Sequence, residues 1–119
     1  MDNTKTLRQL HESLGVTRRA MQGYEQEGLV APTGRNKYGH LLYDEKAQER
    51  IAWIRLYQQL GFRRKEIAEL LDAPAQTVKD ALENCIQRME AEQKKQAELM
   101  EQVKKLVASI DTKIQREEI

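Results

Sequence analysis

The side chains best placed to do chemistry in this chain are cationic and amide groups. Arg18, Arg19 and Gln22 fall within Val16–Pro32, VTRRAMQGYEQEGLVAP, where Ala20, Met21 and Tyr24 recur at helical spacing and claim the buried side of a helix. The two arginines and the glutamine then have no apolar face to occupy. Guanidinium and carboxamide groups on an exposed helix are the donors that reach guanine and adenine edges in a major groove. A second set, Arg35, Lys37 and Tyr38, lies between Gly34 and Gly39, and a third, Arg63-Arg64-Lys65, opens a later helical pattern. Hydrolytic or redox chemistry has no comparable support. No Ser/His/Asp, Cys/His or paired-carboxylate set converges in the sequence, so an enzyme is not expected. The single cysteine, Cys85, rules out a disulfide within one chain, and His11 and His40 lack ligand-type neighbours, so neither metal nor other cofactor is expected.

The totals suit an extended helical protein. One third of the 119 residues are charged and 5% are aromatic, too little apolar material for one compact globule of this length. The net charge is +1. Residues 1–74 carry twelve Lys and Arg against ten Asp and Glu, and residues 75–119 carry eight against nine. Binding to DNA must therefore rest on where the basic groups point. No signal peptide and no apolar run long enough to span a bilayer is present, which predicts a cytoplasmic protein without membrane attachment.

The elements that must position these groups can be read in order. Thr6 can cap a first helix that carries Leu7, Leu10 and Leu14 on one face and stops at Gly15. Thr17 caps the second, which ends at Gly28 in a left-handed conformation. Two short helices joined through a glycine-containing turn form a helix-turn-helix, although the pattern alone suits a generic helical hairpin equally. The stretch TGRNKYGHLLY reads as a small hairpin or wing whose polar tip can follow a phosphate backbone while Leu42 and Tyr43 anchor its return strand. A solvated loop is the alternative. Asp44 caps a third helix whose Ala47, Ile51, Ile54, Tyr57 and Leu60, widened by Trp53 and Leu56, form the core face before Gly61. In the fourth helix Ile67, Leu70 and Leu71 are apolar. Its three opening cations oppose the helix dipole at about 0.3–1 kcal/mol each, a conflict that a bound phosphate or simple solvation would relieve.

Asp72-Ala73-Pro74 ends that helix, and a capping box at Thr77-Val78-Lys79-Asp80 is expected to start the last one. No glycine or proline follows as far as Arg116. A helix of that span is roughly 60 Å long, and its heptad stripe of Val78, Leu82, Cys85, Met89, Leu99, Val103, Leu106 and Ile110 needs a partner helix. Cys85 lies in the stripe as a small hydrophobe. Glu92, Gln96 and Lys113 interrupt the seam. A parallel pair would set Glu92 against its own copy, so an antiparallel coiled coil is expected. The division is residues 1–74 as a DNA-binding domain and 75–119 as a dimerisation helix.

Taken in order, Val16-Thr17 followed by Arg19, Tyr24-Glu25, Gly28-Leu29-Val30 with Pro32, Arg35 with Gly39 and Tyr43, and Leu60-Gly61-Phe62 resemble the MerR family of bacterial transcription regulators over nearly the whole chain. The resemblance implies a mainly α protein: a winged helix-turn-helix domain followed by a long dimerisation helix in an antiparallel coiled coil. It implies a homodimer on a pseudo-palindromic promoter operator, bending and untwisting double-stranded DNA so that RNA polymerase can engage. By position, Arg19 resembles the family's basic recognition-helix residue, Tyr24 its phosphate-contacting tyrosine and Arg35 its wing arginine, while His40 stands at the usual wing tyrosine. The expected DNA-facing set is Thr17, Arg18, Arg19, Gln22, Tyr24, Arg35, Lys37, Tyr38, His40, Arg63 and Arg64. Gln22, Gly23 and Leu41 depart from the family's usual arginine, aromatic and arginine. Members that sense drugs or metals carry a sensor domain or metal loop after the long helix, so a short form without a separate sensor domain is expected. An architectural or recombination-accessory protein of the excisionase type, and a coiled-coil protein with a protein partner, are the competing readings.

Overall fold

The computed structural model describes residues 3–118, which form two compact units, one ending at Pro74 and the other beginning at Ala75. The first contains β1 (Lys5–Thr6), α1 (Leu7–Leu14), α2 (Arg18–Gln26), β2 (Gly34–Arg35), β3 (Leu41–Tyr43), α3 (Glu45–Gln59) and α4 (Arg64–Leu71). The second is a single helix, α5 (Ala75–Glu117).

Local chemistry sets the helix starts. The Thr6 hydroxyl accepts from the Gln9 amide while the Gln9 side chain accepts from the Thr6 amide, closing a capping box on α1. Thr17 and Asp44 accept from Ala20 and Ala47 at 3.1 and 2.8 Å and start α2 and α3. Gly15 and Gly28 leave α1 and α2 with φ of 71° and 73°, a left-handed turn that a Cβ would oppose. Between them Val16 is fully buried, and its carbonyl lies 2.9 Å from the His11 ring nitrogen. The α1–α2 turn is thereby pinned from both sides.

The sheet is antiparallel with strand order β1-β3-β2. Lys5 pairs with Tyr43 and Thr6 with Leu42, while Gly34 and Arg35 pair with Leu42 and Leu41. The sequence reading contained no β1. Its two residues carry no alternating pattern of their own, and only the register with β3 makes them a strand. Leu10, Val16, Met21, Tyr24, Tyr43, Ile51, Ile54 and Ile67, each at most 1% exposed, form the core of this unit.

Two expectations for the helices change. Trp53 and Leu56 remain 39% and 42% exposed, so the buried face of α3 is the narrower row of Ala47, Ile51, Ile54 and Tyr57. Trp53 instead lies against the Tyr57 ring, with centroids 5.6 Å apart. The last helix begins at Ala75, directly after Pro74, and not at a capping box on Thr77. The Asp80 carboxylate that would serve such a box accepts from Gln76 Nε2 at 2.8 Å within the first turns of the helix.

Candidate nucleic-acid interface

The inner side of α2 carries Met21 and Tyr24, each 1% exposed, and this fixes what its outer side presents. Arg18, Arg19 and Gln22 are exposed there together with the capping Thr17. Among the described residues these two arginines make no side-chain hydrogen bond or ion pair. Their donors are available to a ligand. Tyr24 differs from the role its family position suggested: its ring is in the core and its hydroxyl donates to Gln58 Oε1 of α3 at 2.8 Å. It holds α2 against α3.

The wing is ordered by a residue the sequence reading passed over as a contact. The side chain of Asn36 accepts from the amides of Tyr38 and His40 at 2.9 and 3.0 Å, and its own amide donates to the His40 carbonyl. An asparagine two residues before the turn was the available signal, because its side chain bonds the backbone further on. Arg35 Nη1 donates to the Gly39 carbonyl at 2.8 Å, which stretches this arginine along the wing. Lys37 Nζ lies 5.1 Å above the Tyr38 ring, and Tyr38, 71% exposed, approaches His40 with centroids 6.4 Å apart. An imidazole, an ammonium group and a phenol ring therefore share one exposed tip.

The wing and α2 are joined beneath the surface. The Tyr43 hydroxyl, on β3, donates to the Glu25 carboxylate of α2 in a short hydrogen bond. Burial, then the bond to Glu25, then the carboxylate's charge push the Tyr43 hydroxyl well above the usual phenol range. It stays protonated and keeps donating. Thr33 reinforces the return strand by bonding the Leu42 carbonyl through both amide and hydroxyl at 2.8 and 3.1 Å.

The cations that open α4 resolve their conflict with the helix dipole internally. Glu66 accepts from the Arg63 amide at 3.0 Å and places an acidic group in the first turn. Arg64 crosses to α2, where its Nη1 lies 3.0 Å from Glu27 Oε1. It runs over Gly23: a Cβ built there would stand 3.0 Å from Nη1 and 3.2 Å from Nη2. The small residue at position 23 thus makes room for the guanidinium. Arg63 and Lys65 are exposed.

In α5, Val78 and Leu82 are half-buried and Cys85 is buried, with Arg88 Nη2 donating to its sulfur at 3.1 Å. Met89, Leu99, Val103, Leu106 and Ile110 are 45–62% exposed. Ile86, Met100, Val107 and Ile114 are exposed beside them, each one residue after a seam position, so the apolar stripe is wider than two positions per heptad. The polar interruption is self-satisfied, since Gln96 Nε2 donates to Glu92 at 3.1 Å. Among the described residues no group of three or more His, Cys, Asp or Glu side chains comes together, and no helix is long and apolar enough to cross a membrane.

With a helix-turn-helix, a wing and a long terminal helix in place, comparison with known proteins decides the family. Residues 5–74 match the family described as MerR HTH family regulatory protein. The chain belongs to the MerR HTH family. Among MerR-type relatives, the nodulation protein NolA of Bradyrhizobium diazoefficiens is 28% identical over 111 residues, covering 93% of this chain and 46% of NolA. The transcriptional activator TipA of Streptomyces coelicolor is 41% identical over 61 residues, 51% of this chain and 24% of TipA. In structure the chain is similar to the N-terminal part of the Bacillus subtilis multidrug transporter activator, MtaN, with a TM-score of 0.65 and 26% identity over 87% of this chain and 97% of that one. The chain spans about half the length of the curated relatives it matches most broadly. Its winged helix-turn-helix with a long terminal helix is thus a MerR-type architecture.

Proposed function

We propose that this chain is a DNA-binding transcription regulator that acts as a homodimer on a pseudo-palindromic promoter operator. The observation that carries this reading is the shared exposure of Arg18, Arg19 and Gln22 on α2 and of Arg35, Lys37, Tyr38 and His40 on the wing. On this reading α2 enters a major groove, where Arg19 and Gln22 reach base edges, and the wing follows the adjacent backbone. Thr17 belongs to the same surface. Tyr24 supports it from below through Gln58, and Arg63 and Lys65 offer further backbone contacts.

The exposed stripe of α5 supplies the second half. Val78, Leu82, Cys85, Met89, Leu99, Val103, Leu106 and Ile110 form the seam with a second copy, and an antiparallel arrangement keeps the two Glu92 carboxylates apart. The chain accordingly divides in function as it does in fold, into a reading unit up to Pro74 and a pairing helix after it. Two reading units held at a fixed separation bind both halves of an operator, and bending and untwisting the intervening DNA aligns promoter elements for RNA polymerase. A pairing helix of 43 residues favours such a dimer over an excisionase-like accessory protein. The protein has no enzymatic role on this reading and works in the cytoplasm without a cofactor. Selection of bound sequences from a random DNA pool tests it. An inverted repeat is the expected product; enrichment of single, unpaired half-sites would refute the dimeric operator, and no enrichment would refute sequence reading.

A further inference from the structure

A cleft of about 690 Å³ opens between the first turn of α1, the first residue of α2 and the wing. Its polar walls include Arg8, Arg18, Arg35 and His40, with Leu41 and Tyr43 among the apolar lining, and no Asp or Glu lines it. Three arginines from three separate elements therefore line one opening. Arg35 is held to the wing through the Gly39 carbonyl, and Arg18 has no partner among the described residues. Among the described residues Arg8 is paired only with Glu12, at 3.6 Å, and the two side chains are 90% and 66% exposed. An ion pair that open to solvent holds its partners weakly. Arg8 is free to turn to a stronger anion.

We propose that this cleft seats a phosphodiester group of the DNA backbone and that Arg8, on α1, binds it together with Arg18 and Arg35. The inference rests on the DNA-binding reading and adds to it a third wall that the recognition helix and wing do not provide. A reading helix in one groove and a wing in the next leave a sugar–phosphate strand between them, and the cleft lies between those two elements. Guanidinium groups match phosphate oxygens through paired N–H donors, so three arginines at one opening whose lining holds no carboxylate suit a phosphate. Tyr43 lies at the cleft with its hydroxyl already committed to Glu25. Glu25 itself does not line the cleft.

The test compares the full chain with Arg8→Ala and Arg8→Lys on a mixed-sequence duplex, by fluorescence anisotropy across a salt series. Losing one phosphate contact lowers the slope of log K against log salt by about 0.9 for each protomer engaged. Arg8→Ala should show that loss and Arg8→Lys should restore most of it. A wild-type slope in Arg8→Ala, or a slope in Arg8→Lys as low as in Arg8→Ala, overturns the seat while leaving DNA binding by α2 and the wing intact. If the wild-type chain fails to bind the duplex at low salt, the functional reading itself falls. Titration with inorganic phosphate then decides the seat alone: side-chain resonance shifts at Arg8, Arg18 and Arg35 sustain a phosphate site, and their absence overturns it.

Discussion

Replacing Gly23 by alanine sets two effects of similar size against each other. Gly23 is helical with negative φ, so its backbone accepts a Cβ, and Gly→Ala in a helix interior gains about 0.8–1 kcal/mol. The new methyl group stands 3.0 Å from Arg64 Nη1 and 3.2 Å from Nη2, closer than these groups pack. The guanidinium is the far end of a flexible chain, so it should shift by a few tenths of an ångström and weaken its pair with Glu27. That ion pair joins side chains 46% and 40% exposed and contributes about 0.2–1 kcal/mol. Gly23→Ala should therefore gain only about 0–0.8 kcal/mol, because the displaced pair offsets the helix gain. In a Glu27→Gln background the pair is already lost, and the same substitution should show the full gain. The difference, a coupling of about 0.2–1 kcal/mol, is read from urea unfolding of the four proteins at one fixed chain concentration. The cycle also cancels the separate benefit of removing an acidic group from the C-terminal end of α2. Raising the salt should shrink the coupling, since the pair is open to solvent. Equal stabilisation by Gly23→Ala in both backgrounds would refute the account of why a glycine occupies this position.

Tyr43→Phe removes the donor from a half-buried carboxylate and should cost about 1–3 kcal/mol at neutral pH by denaturant unfolding. Because the folded state holds the Tyr43 proton more tightly than the unfolded chain, that contribution is complete below the ordinary phenol value near 10 and declines as pH rises past it. The difference between wild type and Tyr43→Phe should accordingly narrow in strong alkali. Asp72 behaves in the opposite sense. The Arg50 hydrogen bond and charge hold its carboxyl below the usual range, so Asp72→Asn should lower stability above about pH 4 and flatten the loss on acidification. Gly28→Ala meets nothing within 4 Å but inherits a φ of 73°, and thermal unfolding should register about 1–2 kcal/mol of backbone strain with no packing change. Gln22→Ala should relax sequence preference at one base of each half-site while leaving the salt slope at its wild-type value, which binding to variant operators measures.

Features governed by neighbours in sequence were legible before any coordinates. Thr6, Thr17 and Asp44 cap their helices because the hydroxyl or carboxylate oxygen needs an amide only three residues away. Gly15 and Gly28 end helices because of their own φ. Exposure of Arg18, Arg19 and Gln22 followed from the apolar residues that claim the other side of α2. Features set by distant partners were not legible. β1 exists only through its register with Leu42 and Tyr43. Trp53 and Leu56 obey helical periodicity, yet nothing in the periodicity says how far around α3 the core extends. Tyr24 reads as a phosphate ligand by position in the family and becomes a core residue through Gln58, 34 residues away. Arg64 reads as a free cation until Glu27, 37 residues away, claims it. The Arg8 wall of the cleft is invisible for the same reason, since Arg8 shares the cleft with wing residues about 30 positions further along the chain.

The bond between Tyr43 and Glu25 bears on what has to yield when the protein meets a double helix. β3 is hydrogen-bonded on both edges, and its Tyr43 ties the wing to α2. That tie resists a change in the opening between the two arms. On the proposed DNA-binding reading, a duplex whose grooves stand at another spacing is squeezed or untwisted to fit between them. Recognition on that reading weighs how cheaply a sequence can be deformed as well as which bases it carries.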